Sequence, residues 1–487
     1  MRLSSVQSVV SRLLLLFATV AMSLVSLASP EDEPDGILDA EELYVWGYPL
    51  VQNLRALRGL AAGELPMFGP VGINEFAHAR RLMAPEDRFV SPNVDVLFSA
   101  AIIDLANGPV DIDLPDTRGR YYVLQFLDPW TNSFAYLGKR SSGTSAGAYR
   151  LVFPGAVDSE HTDTEDGRTV IYSPASLALL VLRISIADVE GLAELHLLQD
   201  GFQLRPLIES HRSIDDLLGP HSNDELAFWR QLHHGLIHYP GPPYDEPWLS
   251  RAAGLNLGFD KTGQWSADVA AVLLAGQKVA EEQLEKLAVQ RSTSSSRGWE
   301  SIVHLFDFNR HLFGTGVVNS PEWVIEDVEQ AYRRRMLAAR VGLWGNHGYE
   351  AAFFQAWRDK DGQPLSGSSR YRVVLNPPMP AKAFWSVTNY TVPDFFLYEN
   401  PEEIYGIASY DESQKKQAGE SVTIIFSHDK PAEQCGGLWI PTPPGRFRPL
   451  LSLYHPDIEV LTDGWWPSSL EKLDPQSCEV NRSMIRQ

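Results

Sequence analysis

Apolar and polar residues alternate with a period of two along residues 371–398, and this pattern predicts two strands. The side chains of the second strand divide between two faces, one with Ala383, Trp385 and Val387 and the other with Phe384, Ser386 and Thr388. Alternation rich in aromatic and β-branched residues is typical of a strand with one buried face. A proline-rich turn at 376–380 separates the two strands, and the second strand ends at Asn389 and Tyr390. Polar groups in that position often serve binding.

Short strand-like segments recur in two blocks of the chain. The first block contains 95–104, 110–114, 121–127, 149–153, 169–172 and 177–185. After the opening pair, the second block continues with 405–408, 421–427, 437–440, 447–454 and 458–461. The segments between the strands are too short for crossover helices, so antiparallel sandwiches are expected rather than a parallel sheet. We expect an α+β fold that is mainly β, with an N-terminal Ig-like β-sandwich and a C-terminal jelly-roll β-sandwich.

Helical periodicity appears before the first block and between the two blocks. It predicts helices over 39–60, with a kink at Pro49, and over 188–200, 224–236, 267–289 and 322–341. The Ser-rich stretch 290–297 is a candidate boundary. The predicted domains are an N-terminal β-sandwich at 39–187, a helical portion at 188–345, a jelly-roll domain at 346–470 and a tail at 471–487.

The first 28 residues have the pattern of a secretory signal peptide. Arg2 and Arg12 are positively charged, residues 13–27 form an apolar core, and Ala28 completes a small-x-small cleavage pattern. The alternative is a membrane anchor, but the run is shorter than the roughly 20 residues needed to span a bilayer. We therefore expect a secreted, extracellular protein without a membrane span.

Composition narrows the classes of partner. The chain has 487 residues, 44% of them hydrophobic, and a formal net charge of −21. Nucleic acid is not an expected partner, because its binding needs concentrated Lys and Arg. No P-loop or dinucleotide fingerprint is present, and His304 and His311 have no third residue at metal-ligand spacing. A small-molecule ligand or substrate is therefore expected, with no cofactor and no metal, and the oligomeric state stays open.

Two kinds of covalent modification are compatible with an oxidising compartment. Cys435 and Cys478 are the two cysteines, and they either form one disulfide or remain separate thiols. Asn389 and Asn481 each begin a glycosylation sequon. The Asn389 sequon lies on a predicted strand, so it is either buried and unused or a site for a glycan.

The leading catalytic candidates are His78, Asp95 and Asn93, with Asn74 and Glu75 as neighbouring binding residues. An imidazole, a carboxylate and amide groups gathered at a sheet edge suit general acid/base chemistry. His78 would act as acid or base, Asp95 would orient it, and Asn93 would donate to an oxyanion. The alternative is a turn at Asn93 and Asp95 against which His78 packs.

Two further constellations are candidates for ligand binding. The first contains Asp128, Trp130, Asn132, Lys139 and Arg140, where an aromatic face beside charges suits a polar or anionic ligand. The second contains Trp385, Asn389, Tyr390, Trp439, Arg446 and Tyr454, whose aromatic faces suit a sugar or lipid-like ligand. The alternatives are a strand-end turn for the first and ordinary sandwich core for the second.

Several spaced motifs resemble one known tandem family. They are PNVDVLFSAAIIDL, GRYYVLQFLDPWTNSFAYLGKR, AFWSVTNY, WIPTPPGRF and LYHPDIEVLTDGWWP. In this order they resemble domain of unknown function 1254 followed by domain of unknown function 1214, from about residue 41 to residue 467. The resemblance implies an Ig-like sandwich, a helical portion and a jelly roll, and it implies architecture rather than a reaction.

Together these patterns favour one function over another. We expect a secreted hydrolase that acts on a small amphiphilic or ester-like molecule by general acid/base catalysis in a cleft between two sandwiches. The alternative is a non-catalytic extracellular protein that binds a carbohydrate or lipid-like ligand.

Overall fold

The computed structural model describes residues 36–474 except 66, 89, 157–165, 188–190, 220, 259–262, 290–294, 412–419 and 433–434. The fold is mixed α+β and mainly β, as expected. The helices are α1 Ile37–Ala62, α2 Leu192–Asp200, α3 Ile214–Leu218, α4 Ala227–His238, α5 Glu246–Gly254, α6 Ala267–Val289, α7 Val328–Val341 and α8 Ile458–Leu461. No helix in these described residues is long and apolar enough to cross a membrane.

Strands β1–β9 form the N-terminal β-block. They are β1 Ala77–His78, β2 Val96–Asp104, β3 Val110–Leu114, β4 Tyr122–Leu127, β5 Ser133–Gly138, β6 Gly147–Val152, β7 Thr169–Tyr172, β8 Leu177–Ser185 and β9 Gln203–Pro206. They make two sheets, in the orders β1-β2-β8-β4-β5 and β7-β6-β3-β9, with antiparallel neighbours except β6 and β7. Leu97 and Ile103 of one sheet share a core with Ile112 and Leu151 of the other.

Strands β10–β19 form the C-terminal β-block. They are β10 Ser295–Ser296, β11 Trp299–Ser301, β12 Ala351–Ala356, β13 Arg370–Leu375, β14 Ala381–Thr391, β15 Gly406–Ala408, β16 Val422–Ser427, β17 Leu438–Pro441, β18 Phe447–Pro456 and β19 Glu471–Leu473. Their sheets run β10-β11-β12-β18-β14-β15 and β17-β16-β13-β19, and only β16 and β17 are parallel neighbours among them. Val387 and Leu451 of the first sheet share a core with Val373 and Ile424 of the second.

Most of the helices form a separate layer around α1, while α2 and α8 pack into the cores of the N-terminal and C-terminal β-blocks. Helix α1 packs against α4, α6 and α7, although α1 precedes the first β-block in sequence. Its buried Trp46 and Leu50 share a core with Ala100 and Ile102 of β2. The helical layer therefore covers one end of the outer face of the first sheet.

The other end of that outer face is covered by the C-terminal β-block. Val96, Val123 and Tyr136 belong to the same apolar cluster as Phe384 and Tyr454. The alternation predicted for β14 explains this contact, because Trp385 and Val387 face their own sandwich while Ser386 faces the N-terminal β-block. The junction between the two β-blocks is therefore buried, and it contains the polar groups described below.

Most predicted elements are confirmed, and one is wrong. Strands β3, β7 and β8 have the predicted bounds, and α1 contains Pro49 as expected. Residues 458–461 form one helical turn, not a strand. The apolar pattern of only four residues cannot distinguish a strand from a helical turn, because a single turn also buries one apolar side chain, here Val460. Seven strands have no counterpart among the predicted strand segments: β1, β5, β9, β10, β11, β12 and β19.

Candidate functional site

Asp95 is a buried carboxylate at the junction of the two β-blocks. It lies immediately before β2, where its backbone N–H donates to Asn93 Oδ1 at 2.7 Å. Three hydroxyls from the C-terminal β-block donate to its carboxylate: Ser386 Oγ at 2.5 Å, Tyr454 Oη at 2.8 Å and Tyr410 Oη at 3.2 Å. Burial raises the pKa of Asp95, and the three hydroxyl donors oppose that shift.

The direction of the hydrogen bond between Tyr454 and Asp95 is fixed by Asn93. Asn93 Nδ2 donates to Tyr454 Oη at 2.6 Å, so the phenol proton of Tyr454 is directed to Asp95. The Tyr454 ring stacks on Phe384 with centroids 4.0 Å apart and meets Tyr121 edge-on at 5.6 Å. Aromatic contacts from both β-blocks therefore hold this donor in place.

Glu350, immediately before β12, is a second buried acid at the junction. Arg140 Nε donates to Glu350 Oε1 at 2.6 Å, and the Arg140 guanidinium lies 4.7 Å from the centroid of the Tyr349 ring. Burial raises the pKa of Glu350 to about 7, although the charge of Arg140 opposes the shift. Tyr121 Oη donates to the Glu350 carbonyl oxygen at 3.3 Å, which links this acid to the N-terminal β-block. A carboxyl with a pKa near neutrality can exchange protons at working pH.

Arg183 on β8 is a buried cation surrounded by neutral acceptors. Its Nη1 donates to Gln125 Oε1 at 2.9 Å and to Asn346 Oδ1 at 3.2 Å, and its Nη2 donates to the Trp344 carbonyl oxygen at 2.7 Å. Within the described ranges it forms no salt bridge, and burial lowers its pKa. A guanidinium held this way is placed to stabilise a negative charge that develops nearby.

His347 is a buried imidazole beside the Tyr136 phenol. Tyr136 Oη accepts from the His347 backbone N–H at 3.3 Å and lies 3.0 Å from His347 Nδ1. Burial lowers the pKa of His347 to about 3. His347 also lines a cavity of about 10 Å³ with Thr131 and Ser133, which is room for about one water molecule.

We call these groups the junction cluster: Asp95, Tyr121, Arg140, Arg183, His347, Glu350 and Tyr454. It combines two acids of raised pKa, two guanidiniums and a neutral imidazole at a buried junction. Perturbed groups gathered in this way are typical of sites for proton transfer. In the part of the chain that the structure describes, no three His, Cys, Asp or Glu side chains are placed to hold a metal ion.

Comparisons with known proteins identify the family. Residues 73–206 match the family described as "Protein of unknown function (DUF1254)", and residues 350–458 match "Protein of unknown function (DUF1214)". The chain is a tandem DUF1254–DUF1214 protein. No curated protein matches the chain.

Two solved structures resemble this tandem DUF1254–DUF1214 protein. The VPA0106 protein from Vibrio parahaemolyticus is 20% identical, covers 90% of this chain and 100% of its own, and has a TM-score of 0.63. That likeness concerns the fold. An uncharacterized protein from Burkholderia cenocepacia is more distant, with 9% identity, coverage of 90% and 95%, and a TM-score of 0.41.

The junction cluster draws on both matched regions. Asp95, Arg140 and Arg183 lie in the DUF1254 region, while Glu350 and Tyr454 lie in the DUF1214 region. Neither region alone contains both acids. The tandem arrangement is therefore what assembles the site.

His78 does not join Asp95. Strand β1 pairs with the middle of β2, so His78 lies opposite Ser99 and its Nδ1 is 2.7 Å from Ser99 Oγ. Ser99 is four residues along from Asp95, roughly 13 Å in an extended strand. Burial lowers the pKa of His78 to about 4. Of the three predicted catalytic residues, the structure brings together Asn93 and Asp95 but not His78.

Asn74 and Glu75 lie at the opposite end of β2 from Asp95. Asn74 Nδ2 donates to the Asp104 carbonyl oxygen at 3.2 Å, and Asn74 Oδ1 accepts from the Asp104 backbone N–H at 2.8 Å. Glu75 is exposed. Asn74 thus fixes the chain beside the far end of β2 and does not contact the junction cluster.

The second predicted constellation divides into three places. Asn132 Nδ2 and its backbone N–H each donate to Asp128 at 2.8 Å, and burial raises the pKa of Asp128 to about 6. Trp130 is buried against Trp46, with ring centroids 4.6 Å apart. Lys139 Nζ donates to the Gly119 carbonyl oxygen, and its neighbour Arg140 alone belongs to the junction cluster.

The third constellation does not converge on one ligand site either. Trp385 packs inside its own sandwich, and Tyr390 Oη donates to the Pro92 carbonyl oxygen at 2.9 Å. Asn389 is buried, with Nδ2 donating to the Pro441 carbonyl oxygen at 3.1 Å, while Arg446 is exposed. Successive residues of β14 point to opposite faces, which separates them.

The modification sites are only partly within the described residues. Residues 1–28, Cys478 and Asn481 lie outside them. Cys435 is in a disulfide, and its pairing with Cys478 stays a prediction. The folded protein has no room for a glycan on Asn389, because its side-chain nitrogen is buried and hydrogen-bonded.

Several members of the site were not identified from sequence. Arg183 is the one charged residue in the apolar strand LALLVLRIS, and that contrast was a usable signal. Glu350 and His347 lie in the polar segment GNHGYE directly before β12, a strand that the alternation did not reveal. The hydroxyls of Ser386 and Tyr410 carried no signal, because their partner Asp95 is distant in sequence.

Proposed function

We propose that this protein is a hydrolase that acts on a small ester-like molecule at the junction cluster. The observation that supports the proposal is the position of Glu350, a buried acid with a pKa raised to about 7, beside Arg140. Such a group exists in both protonation states near neutral pH, which general acid/base catalysis requires. His78 has no role in this proposal.

Each chemical role has a candidate among the buried groups. The Glu350 carboxylate would take a proton from water as the water oxygen bonds to the ester carbonyl carbon. The Arg183 guanidinium and the His347 imidazole would donate to the oxyanion that forms. As the carbon–oxygen bond to the alcohol breaks, Glu350 would return its proton to the departing alkoxide. The products are an alcohol and a carboxylic acid, which releases its proton to water, so no further reactant is needed.

Asp95 and Asn93 have a positioning role in this proposal. Both residues form hydrogen bonds with the Tyr454 phenol. Tyr454 lies on β18, where it pairs with Ala351 of β12, the residue after Glu350. The next residue, His455, donates its backbone N–H to the Glu350 carbonyl oxygen at 2.9 Å. Substitution of Asp95 should therefore alter the position of Glu350 through β18, because Asp95 itself does not contact the substrate in this proposal.

The test compares matched variants on p-nitrophenyl acetate and p-nitrophenyl butyrate. We expect Glu350→Gln to reduce turnover by about 100-fold or more, since it keeps the side-chain shape but cannot accept the proton. His78→Gln is the matched control and should keep native turnover. Circular dichroism and thermal unfolding would verify that each variant is folded.

Two results would contradict the proposal. Native turnover in a folded Glu350→Gln protein would exclude this acid from the reaction. Saturable ligand binding by the native protein, with no turnover of either ester over long incubation, would favour the alternative function, a non-catalytic carbohydrate- or lipid-binding protein.

The finer architecture is part of the same proposal. We infer that the N-terminal β-block is an Ig-like sandwich and the C-terminal β-block a jelly roll, with a helical portion at 188–345 between them. The support is that each block has two sheets with a shared core.

We also propose that the protein is secreted after cleavage near Ala28, and N-terminal sequencing of exported protein tests that cleavage.

A further inference from the structure

A ligand-sized cleft lies at one end of the C-terminal β-block. Its volume is about 280 Å³, close to the lower end of the size range of small-molecule sites. Its lining includes Arg297, Asn376, Trp465, Trp466, Pro467 and Ser468, and no member of the junction cluster. The cleft is therefore separate from the proposed hydrolytic site.

Two tryptophans form an aromatic wall of this cleft. Trp465 and Trp466 each meet Phe354 edge-on, with ring centroids 5.6 Å and 5.5 Å apart. Both indoles are only half-buried. Among the described residues, no hydrogen bond involves either indole N–H. Phe354 thus anchors the edges of two large rings that still have exposed surface.

The backbone beside the tryptophans is held firmly. The buried Trp299 donates its Nε1–H to the Ser468 carbonyl oxygen at 2.8 Å. The Lys360 backbone N–H donates to the Leu470 carbonyl oxygen at 2.8 Å, which fixes the next part of the segment. The aromatic wall is therefore largely formed before any ligand arrives, which lowers the cost of binding.

Planar polar side chains complete the lining. Asn376 Oδ1 accepts from Ser421 Oγ at 2.8 Å, and the Asn376 side chain is exposed, so its amide nitrogen can donate to a ligand. Arg297 is exposed, and its Nη1 lies 3.4 Å from the Trp466 carbonyl oxygen. Arg297 is the one charged side chain in the lining, and the remaining polar groups are neutral.

We infer that this cleft binds a short neutral saccharide. A pyranose ring has an apolar C–H face that packs on an indole, and its hydroxyls accept from amide, guanidinium and indole N–H groups. The cleft provides both kinds of contact on adjacent residues, in a volume suited to a small ligand. A purely apolar ligand would offer no acceptor to the Asn376 amide or to the remaining N–H groups of Arg297.

Isothermal titration calorimetry of the full chain tests this inference with cellotriose, maltotriose and N,N′,N″-triacetylchitotriose as separate neutral probes. We expect at least one to bind, and both Trp465→Ala and Trp466→Ala to weaken that binding about tenfold, a loss of roughly 1.4 kcal/mol. Tyr172→Ala is the matched control, because Tyr172 is an aromatic residue 61% exposed on the other β-block. It should leave the affinity unchanged.

Two milder variants keep the test decisive if a Trp→Ala protein does not fold. Arg297→Asn removes the guanidinium at a backbone φ of 56°, which Asn tolerates, and Asn376→Ala removes an exposed amide. Each should weaken saccharide binding. Failure of all three saccharides to bind the native protein, or native affinity in the folded cleft variants, would overturn the inference. Binding is measured without turnover, so this result is independent of the hydrolase proposal.

Discussion

The Tyr454 phenol donates a 2.8 Å hydrogen bond to Asp95, a residue 359 positions earlier in the chain. This bond joins the last long strand of the C-terminal β-block to the entry of the first long strand of the N-terminal β-block. Because Asn93 Nδ2 also donates to the Tyr454 hydroxyl oxygen, one phenol pairs with a buried carboxylate and with a partly buried amide. Removal of the Tyr454 hydroxyl should therefore lower the free energy of unfolding by more than the loss of one ordinary hydrogen bond would.

Tyr454→Phe should lower the free energy of unfolding by about 1–3 kcal/mol, since it leaves a buried carboxylate and a partly buried amide each short of one partner. The variant keeps the ring contact with Phe384, so the decrease in the free energy of unfolding comes from the missing hydroxyl alone. Urea unfolding monitored by circular dichroism measures the change. Tyr410→Phe is the control and should cost less, because the Tyr410 bond to Asp95 is longer, at 3.2 Å. Equal stability of Tyr454→Phe and native protein would contradict this prediction.

Local patterns predicted the strands well, while the site depends on distant contacts. Strand β8 has its predicted bounds because a run of apolar residues is visible within nine positions. The partners of Asp95 come from positions 386, 410 and 454, and nothing near Asp95 in sequence indicates them. Sequence proximity suggested His78 instead, but the register of β1 on β2 places that imidazole beside Ser99.

Glu350 should make stability depend on pH in a defined direction. Its pKa is raised from 4.5 to about 7 in the folded protein, so the unfolded chain releases this proton first as pH rises. The contribution of Glu350 is full below pH 4.5 and is lost as pH rises toward 7, by about 3 kcal/mol at most. The stability of native protein relative to Glu350→Gln should therefore fall across that window.

Urea unfolding of native protein and Glu350→Gln at a series of pH values measures this difference. Asp95 has a raised pKa as well, but it is present in both proteins, so its effect largely cancels in the comparison. A stability difference that stays constant from pH 4.5 to 7 would show that the buried carboxyl titrates normally.

His347 should produce the opposite dependence on pH. Its pKa is lowered from 6.5 to about 3, so the unfolded chain gains this proton first as pH falls. Its contribution to stability is full above pH 6.5 and is lost as pH falls toward 3. Relative to His347→Gln, which does not titrate, native protein should lose stability when pH is lowered from 7 to about 5. A rise over the same interval would contradict the buried neutral imidazole. The ring resonances in an NMR titration give an independent measure of the same pKa.

The buried position of Asn389 predicts that its sequon is not used. Asn389 pairs with Pro449 across β14 and β18, and its backbone N–H donates to the Tyr405 carbonyl oxygen at 3.0 Å. A sugar on the buried Nδ2 would break the bond to Pro441 and force β14 away from its neighbours. Chains glycosylated here before folding should therefore fail to reach the folded state. Peptide mapping by mass spectrometry, on folded protein secreted from a eukaryotic host, should find Asn389 unmodified. A glycan on Asn389 in protein with native unfolding behaviour would show that this part of β14 leaves the sheet more easily than its contacts indicate.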